Sequence, residues 1–274
     1  MLIDTHCHLD AAEFNADRDE VALQAKQAGL QMIVIPAVEP SNFQSVIALS
    51  AQYPHCCYAL GIHPMYVQNA GPSDIKLLCK LVEQTLQIEN KLVAIGEIGL
   101  DFFVSQRNEI ESREIQEYFF SEQLKIAKEF DLPVILHVRR AVDEVLKHLR
   151  QAKVRGGIAH AFNGSPQQAK EFIKLGFKLG FGGAMTYSRA LKIRELAKNL
   201  PLEAIVLETD APDIPPEWLG TKGRNQPKEW VKIAQVLADL RCIPVSQIIE
   251  TTGKNVCDIL PKLAALCTPL EVLH

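Results

Sequence analysis

No basic segment followed by a long apolar run opens this chain, and nowhere do about 18 uncharged apolar residues occur together. Neither secretion nor membrane insertion therefore has a basis in the sequence. The seven cysteines include no CxxC spacing, and Cys56 and Cys57 are neighbours whose side chains diverge in an extended segment. That pattern supports neither a disulfide framework nor a zinc knuckle, and the cytoplasm is the expected compartment. No Gly-rich dinucleotide fingerprint follows any apolar run, and there is no internal repeat or low-complexity tract. Positive charge is also scarce: 29 Lys and Arg against 33 Asp and Glu leave a net charge of −4. A broad basic track of the kind that binds long duplex DNA is missing, so any nucleic-acid contact must be local.

The chain has ample material for a core: 47% of its 274 residues are apolar and 23% charged. Eight short, nearly continuous apolar runs alternate with longer stretches of helical period. The runs are Leu2 to His6, Gln31 to Pro36, Cys57 to Ile62, Leu92 to Glu97, Pro133 to His137, Gly157 to His160, Lys178 to Gly182 and Ala204 to Glu208. Such runs suit strands buried on both faces. Helices are expected over Asp17 to Ala28, Ser41 to Ala51, Asp74 to Glu89, Glu109 to Glu129, Ala141 to Gln151, Pro166 to Leu175, Arg189 to Lys198 and Lys228 to Asp239, with a last one over Ser246 to Leu260. Eight strand–helix units predict one α/β domain over residues 1–274, a (β/α)8 TIM barrel.

In such a barrel the active site lies at the C-terminal ends of the strands, where an imidazole or carboxylate is better read as chemistry than as stability. The first run ends in Asp4-Thr5-His6-Cys7-His8, and residues two apart on an extended chain point to one side. His6 and His8 can thus chelate one ion, with Cys7 turned away. Glu97 ends the fourth run, His137 the fifth, His160 the sixth, and Asp210 follows the eighth. One histidine at a strand end could be a satisfied core residue. Six ligand-type groups at one end are too many for one four-coordinate ion with an open position, and suit two ions sharing a carboxylate. The expected assignment is His6, His8 and Asp210 on the first divalent ion, His137 and His160 on the second, and Glu97 between them. Zn, Mn or Mg are candidates, since imidazole-rich donors do not choose a metal by affinity alone. His63, in Gly61-Ile62-His63-Pro64, faces the same end outside the metal set and is expected to touch substrate. His55, His148 and His274 lie in a loop, on a charged helix and at the terminus.

The chain resembles the TatD family of metal-dependent deoxyribonucleases, within the amidohydrolase-like barrel group. The resemblance rests on Ile3-Asp4-Thr5-His6-Cys7-His8, Gly61-Ile62-His63-Pro64, Gly96-Glu97-Ile98-Gly99-Leu100-Asp101, His137-Val138-Arg139, His160-Ala161-Phe162-Asn163-Gly164, Glu208-Thr209-Asp210-Ala211-Pro212 and Arg224-Asn225-Gln226-Pro227, which span nearly the whole chain. It implies a two-metal site and hydrolysis of DNA phosphodiesters, often by trimming from an end. Asn163, Asp213 and Gln226 depart from the family pattern at positions that bear on substrate fit more than on metal binding.

Two divalent ions would outweigh the charges of Glu97 and Asp210, leaving a positive mouth that favours an anionic phosphodiester over a neutral ester, lactone or amide. Asp210 is expected to orient the attacking water and accept its proton, with Glu97 the second catalytic group. Arg139 and Arg224, with Lys222 as an alternative solvated surface residue, are placed to hold flanking phosphates. The expected partner is DNA, single-stranded or at an end. The competing expectation is a binuclear hydrolase of a small ester, lactone or amide on the same barrel. Nothing in the sequence fixes the oligomeric state, and a monomer suffices for such a site.

Overall fold

Strands that are apolar on both faces are stable only when both faces are covered, and a ring of parallel strands wrapped in helices provides that cover. The structure is a computed structural model, which describes residues 1–88, 91–103 and 109–267. In chain order its elements are β1 Ile3–Asp4, α1 Arg18–Gln27, β2 Met32–Pro36, α2 Phe43–Gln52, β3 Cys56–Leu60, α3 Pro72–Leu86, β4 Leu92–Asp101, α4 Glu109–Glu129, β5 Val134–Arg139, α5 Val142–Ala152, β6 Gly157–Ala159, α6 Pro166–Lys174, β7 Phe177–Phe181, α7 Leu191–Asn199, β8 Ile205–Leu207, α8 Trp230–Arg241, α9 Val245–Ile259 and α10 Pro261–Cys267. All eight strands are parallel and pair in sequence order. The ring closes just beyond β1, where Asp210 N donates to His6 O at 2.8 Å and His8 N to Ala211 O at 2.7 Å. The expected (β/α)8 TIM barrel is the fold.

Two apolar layers hold it. The larger lies between strands and outer helices and includes Phe14, Phe43, Phe120, Phe172 and Trp230, all essentially without solvent contact. A smaller one joins Ile3, Val34, Cys57, Ile135 and Val206 to Val256, Ile259, Leu260 and Leu263. Helices α9 and α10 thereby cover the N-terminal end of the barrel. No helix among the described residues is long and apolar enough to cross a membrane. All seven cysteines are unpaired.

Local signals explain most boundaries. Helix α6 starts at a reciprocal cap: Gln168 N donates to Ser165 Oγ at 3.1 Å and Ser165 N to Gln168 Oε1 at 2.8 Å. Three expectations need correction. Strands β1, β6 and β8 stop before His6, His160 and Glu208, although His160 N still donates to Leu136 O at 3.1 Å and Glu208 N to Phe181 O at 3.2 Å. Strand β4 does not end at Glu97: its pairing with β5 slips by one residue between Ile95 and Ile98 and then runs on from Ile98↔Leu136 to Asp101↔Arg139. Glu97 is therefore presented by a bulge inside a strand. Helix α8 begins at Trp230 rather than Lys228, after a short tight turn over Pro227–Glu229. Glu89, the expected end of α3, and His274 lie outside the described residues.

The β4–β5 extension depends on Gly99. Its φ is +146°, and a Cβ there would stand 2.0 Å from His137 O, a contact with backbone that no rotamer relieves. Gly99→Ala is expected to lose about 3 kcal/mol or more. In a chain of this size that is a fall in melting temperature of roughly 6–12 °C. An unchanged melting curve would show that the extension is not a fixed part of the fold.

Candidate metal centre

The site begins with hydrogen bonds that fasten β1 to β8. Asp4, completely buried, accepts from Thr209 Oγ1 at 2.6 Å, Thr209 N at 2.9 Å and His6 N at 3.2 Å. One carboxylate thus fixes both the segment carrying His6 and His8 and the segment carrying Asp210. Burial raises its pKa to about 7, against the opposing pull of the Thr209 hydrogen bonds. Asp210 itself has φ +59°, a left-handed turn that aims its side chain back towards His6.

All six expected ligands come together. His6 Nε2 and His8 Nε2 lie 3.2 Å apart; Glu97 Oε2 is 3.2 Å from the first and 3.6 Å from the second, and Asp210 Oδ1 is 3.6 and 3.7 Å from them. Ligand atoms about 2.0–2.2 Å from a tetrahedral ion are separated by roughly 3.3–3.6 Å. These four atoms have the spacing of such a shell. The residues fit a divalent cation. The other oxygen of the same carboxylate, Glu97 Oε1, is met by His160 Nε2 at 2.8 Å, His137 Nδ1 at 3.0 Å and His63 Nε2 at 3.4 Å.

Hydrogen-bond partners separate ligands from supports in this second group. His137 stands between two acceptors, Asp101 Oδ2 3.1 Å from Nε2 and Glu97 Oε1 3.0 Å from Nδ1; with Nε2 donating to Asp101, Nδ1 is the nitrogen that would give up its proton to a cation at the centre. His63 is the reverse: its Nδ1 accepts from Met65 N at 3.1 Å, which leaves the proton on Nε2 to be donated to Glu97. With its proton on Nε2, His63 is an orienting donor to Glu97 outside the ligand set, about as buried as His160 and Asp210 at the same mouth. His160 is followed by Ala161 at φ +44°, whose N donates to Glu208 Oε1 at 2.5 Å. Glu208 fills the space left by Gly180, where a Cβ would stand 2.2 Å from its Oε2.

Electrostatics follow burial and pairing. Burial would raise Glu97, but His160, His63 and His6 outweigh it and hold the carboxyl well below its ordinary range. Burial also lowers His6, with His160 adding to the effect. In His137 burial is overcome by the hydrogen bonds to Asp101 and Glu97, which raise it to about 9. Burial pushes Asp210 well up, although His160 opposes it. Glu208 is pushed up to about 8, chiefly by burial.

The expected substrate contacts fare unequally. Arg139, half exposed at the end of β5, has Nη1 3.9 Å from Asp101 Oδ2 and its guanidinium 3.8 Å from the Phe103 ring centre. Arg224 is already engaged: Nη1 donates to Asp17 Oδ1 and Glu13 O, each at 2.7 Å, and Nη2 to Asp17 Oδ2 at 2.5 Å. It ties the loop after β8 to the start of α1, so a phosphate would have to compete with Asp17. Sequence reasoning gave no role to Asp4, Asp101 or Glu208. All three stand inside the motifs named above, which is the one signal that could have flagged them.

The family described as TatD related DNase matches residues 3–261. An uncharacterized metal-dependent hydrolase, YjjV of Escherichia coli, is 41% identical over 255 residues, covering 92% of this chain and 95% of the relative. Human deoxyribonuclease TATDN3 is 33% identical over 271 residues, covering 97% and 96%. The crystal structure of E. coli YjjV overlays with a TM-score of 0.87 at 40% identity, covering 95% of this chain and 98% of that one.

The raised pKa of Glu208 has a signed consequence for the metal-free protein. Near its ordinary value of 4.5 and below, the folded and unfolded chains both hold the proton, and Glu208→Gln should match the wild type. Above about 8 the folded wild type bears a buried ionised carboxylate and the variant does not. In a chelating buffer the melting temperature of Glu208→Gln is expected to rise relative to wild type as pH climbs through this window. A constant difference across it would contradict the buried, raised carboxyl.

Proposed function

This chain belongs to the TatD related DNase family and is a metal-dependent hydrolase, and from that premise we propose that it hydrolyses DNA phosphodiester bonds at ends or in single strands through a two-metal site. The observation that carries the proposal is the division of Glu97, with Oε2 among His6 and His8 and Oε1 among His137 and His160. Residues divided in this way would hold two divalent ions about a shared carboxylate. In this reading His6, His8 and Asp210 complete the first position and His137 and His160 the second, with Zn, Mn or Mg as the occupants.

A divalent ion, when bound, lowers the pKa of a coordinated water from about 15.7 to about 7, removing on the order of 12 kcal/mol from the cost of the nucleophile. The chain's own residues do the rest. Asp210 orients the attacking water and takes its proton. Glu97 is held ionised by the surrounding imidazoles, and His63 fixes its orientation through Nε2. Asp101 locks His137 with Nδ1 facing inward. Arg139 supplies a fork-shaped donor for a flanking phosphate, with Arg224 behind it. The preference for ends and single strands follows from a concave mouth and a net charge of −4, which supply no track for a long duplex.

Metal content tests the bridge. Wild type is expected to bind two ions per chain, His137→Ala about one, and Glu97→Ala almost none, with His6→Ala and His160→Ala losing hydrolysis while keeping the fold. A Glu97→Ala protein with full metal would refute the bridge. Substrate class is read from single-stranded DNA, duplex DNA, RNA and neutral esters, each with Mg²⁺, Mn²⁺ or Zn²⁺. Cleavage of single strands or ends, with closed circular duplex resistant, is the expected outcome. Hydrolysis of the neutral esters alone would place this member with the small-molecule hydrolases.

A further inference from the structure

Phe103 and Arg140, which have no part in the site so far, cluster at the mouth with Arg139, the residue already given a flanking phosphate. The guanidinium carbon of Arg139 lies 3.8 Å from the Phe103 ring centre and that of Arg140 lies 4.4 Å from it, so two like charges gather on one ring. All three side chains are exposed. One carboxylate approaches: Asp101 Oδ2, 3.9 Å from Arg139 Nη1 and already accepting from His137 Nε2. Among the described residues Arg140 has no carboxylate partner.

The backbone points the same way. Arg139 stands two residues beyond His137 on β5, hence on the same side of the strand. Arg140 has φ +55°, a left-handed turn in which a residue with a Cβ is strained by about 1 kcal/mol or more. The turn sets the Arg140 guanidinium beside that of Arg139 on the Phe103 ring, a cation–π contact worth about 0.5–1 kcal/mol at an exposed site, with no carboxylate among the described residues to add to it. Contacts of 3.9, 3.1 and 3.0 Å lead from Arg139 through Asp101 and His137 to Glu97, so the pair adjoins the centre without entering it.

We propose that Phe103, Arg139 and Arg140 are a second phosphate subsite, which receives the internucleotide phosphate next to the scissile one and lets the enzyme tell an oligonucleotide from an isolated phosphodiester. Two planar forks on one aromatic support are suited to bidentate contact with phosphate oxygens, and the aromatic face holds them in place before the ligand arrives. An incoming phosphate relieves the repulsion between them. The subsite rests on the phosphodiester reading of the metal centre.

The test compares thymidine dinucleotide, with one internucleotide phosphate, and trinucleotide, with two, as substrates of the Mn²⁺-loaded enzyme. The trinucleotide-to-dinucleotide ratio of kcat/KM is expected to fall about tenfold in Arg140→Ala, the worth of one charge-assisted hydrogen bond, with the change in KM. Arg140→Lys should recover part of it, since it keeps the charge and loses the fork. Phe103→Leu should lower the ratio by loosening both guanidiniums. Arg140→Gly should lose as much as Arg140→Ala while melting no lower than wild type, because glycine relieves the left-handed turn. A ratio equal to wild type in Arg140→Ala and Arg140→Gly would overturn the subsite and leave the phosphodiester reading standing. A wild type that cleaves neither oligonucleotide yet hydrolyses neutral esters would overturn that reading, and the subsite with it.

Discussion

One buried carboxylate organises this molecule's working end. Glu97 is almost wholly shielded from solvent, and an ionised carboxyl in such a place is costly unless charge or hydrogen bonds meet it on every side. The barrel supplies them by bringing β1, β5, β6 and the loop after β3 to its two oxygens. Asp101 orients the His137 imidazole directly, while Asp4 and Glu208 form a next layer that fastens the backbone around His6 and beside His160. The site is a set of nested supports in which the innermost anion sets the requirement and each outer group answers it.

The β4–β5 pair shows how backbone geometry is recruited to that end. An even ladder would have alternated the side chains of β4 regularly and left Glu97 to whatever face its position gave. The slip between Ile95 and Ile98 turns Glu97 inward and still allows pairing to resume as far as Asp101 and Arg139. That resumption carries Asp101 to the outer nitrogen of His137 and sets Arg139 beyond it. A single irregularity thus places both a central carboxylate and the residue that fixes one of its partners.

How far the sequence could be read depends on the range of the physics involved. The strands, the barrel and the convergence of His6, His8, His137, His160 and Asp210 follow from apolar runs and from what stands at their ends, both local features. Glu97 was legible as a residue but not as a bulge, because Ile98-Gly99-Leu100-Asp101 reads as a motif and its pairing with β5 is set by close backbone approach at Gly99. Asp4 acts across 205 residues, on Thr209, and Asp101 across 36, on His137; no periodicity announces such pairs. The pairing of Arg224 is hidden for the same reason, since its partner Asp17 lies 207 residues away. The role of His63 turned on which of its nitrogens carries a proton, and only the nearby Met65 amide decides that.

Helices α9 and α10 seal the N-terminal end of the barrel with Val256, Ile259, Leu260 and Leu263 against the inner strand residues. Side chains fill the interior of such a barrel, so the described residues leave no tunnel from one end to the other. The molecule is a cul-de-sac. Whatever enters the mouth leaves by the same opening, and a polymer can present its tip or a bend but cannot be drawn through. Depth, and not length, is the dimension in which this fold measures what it admits.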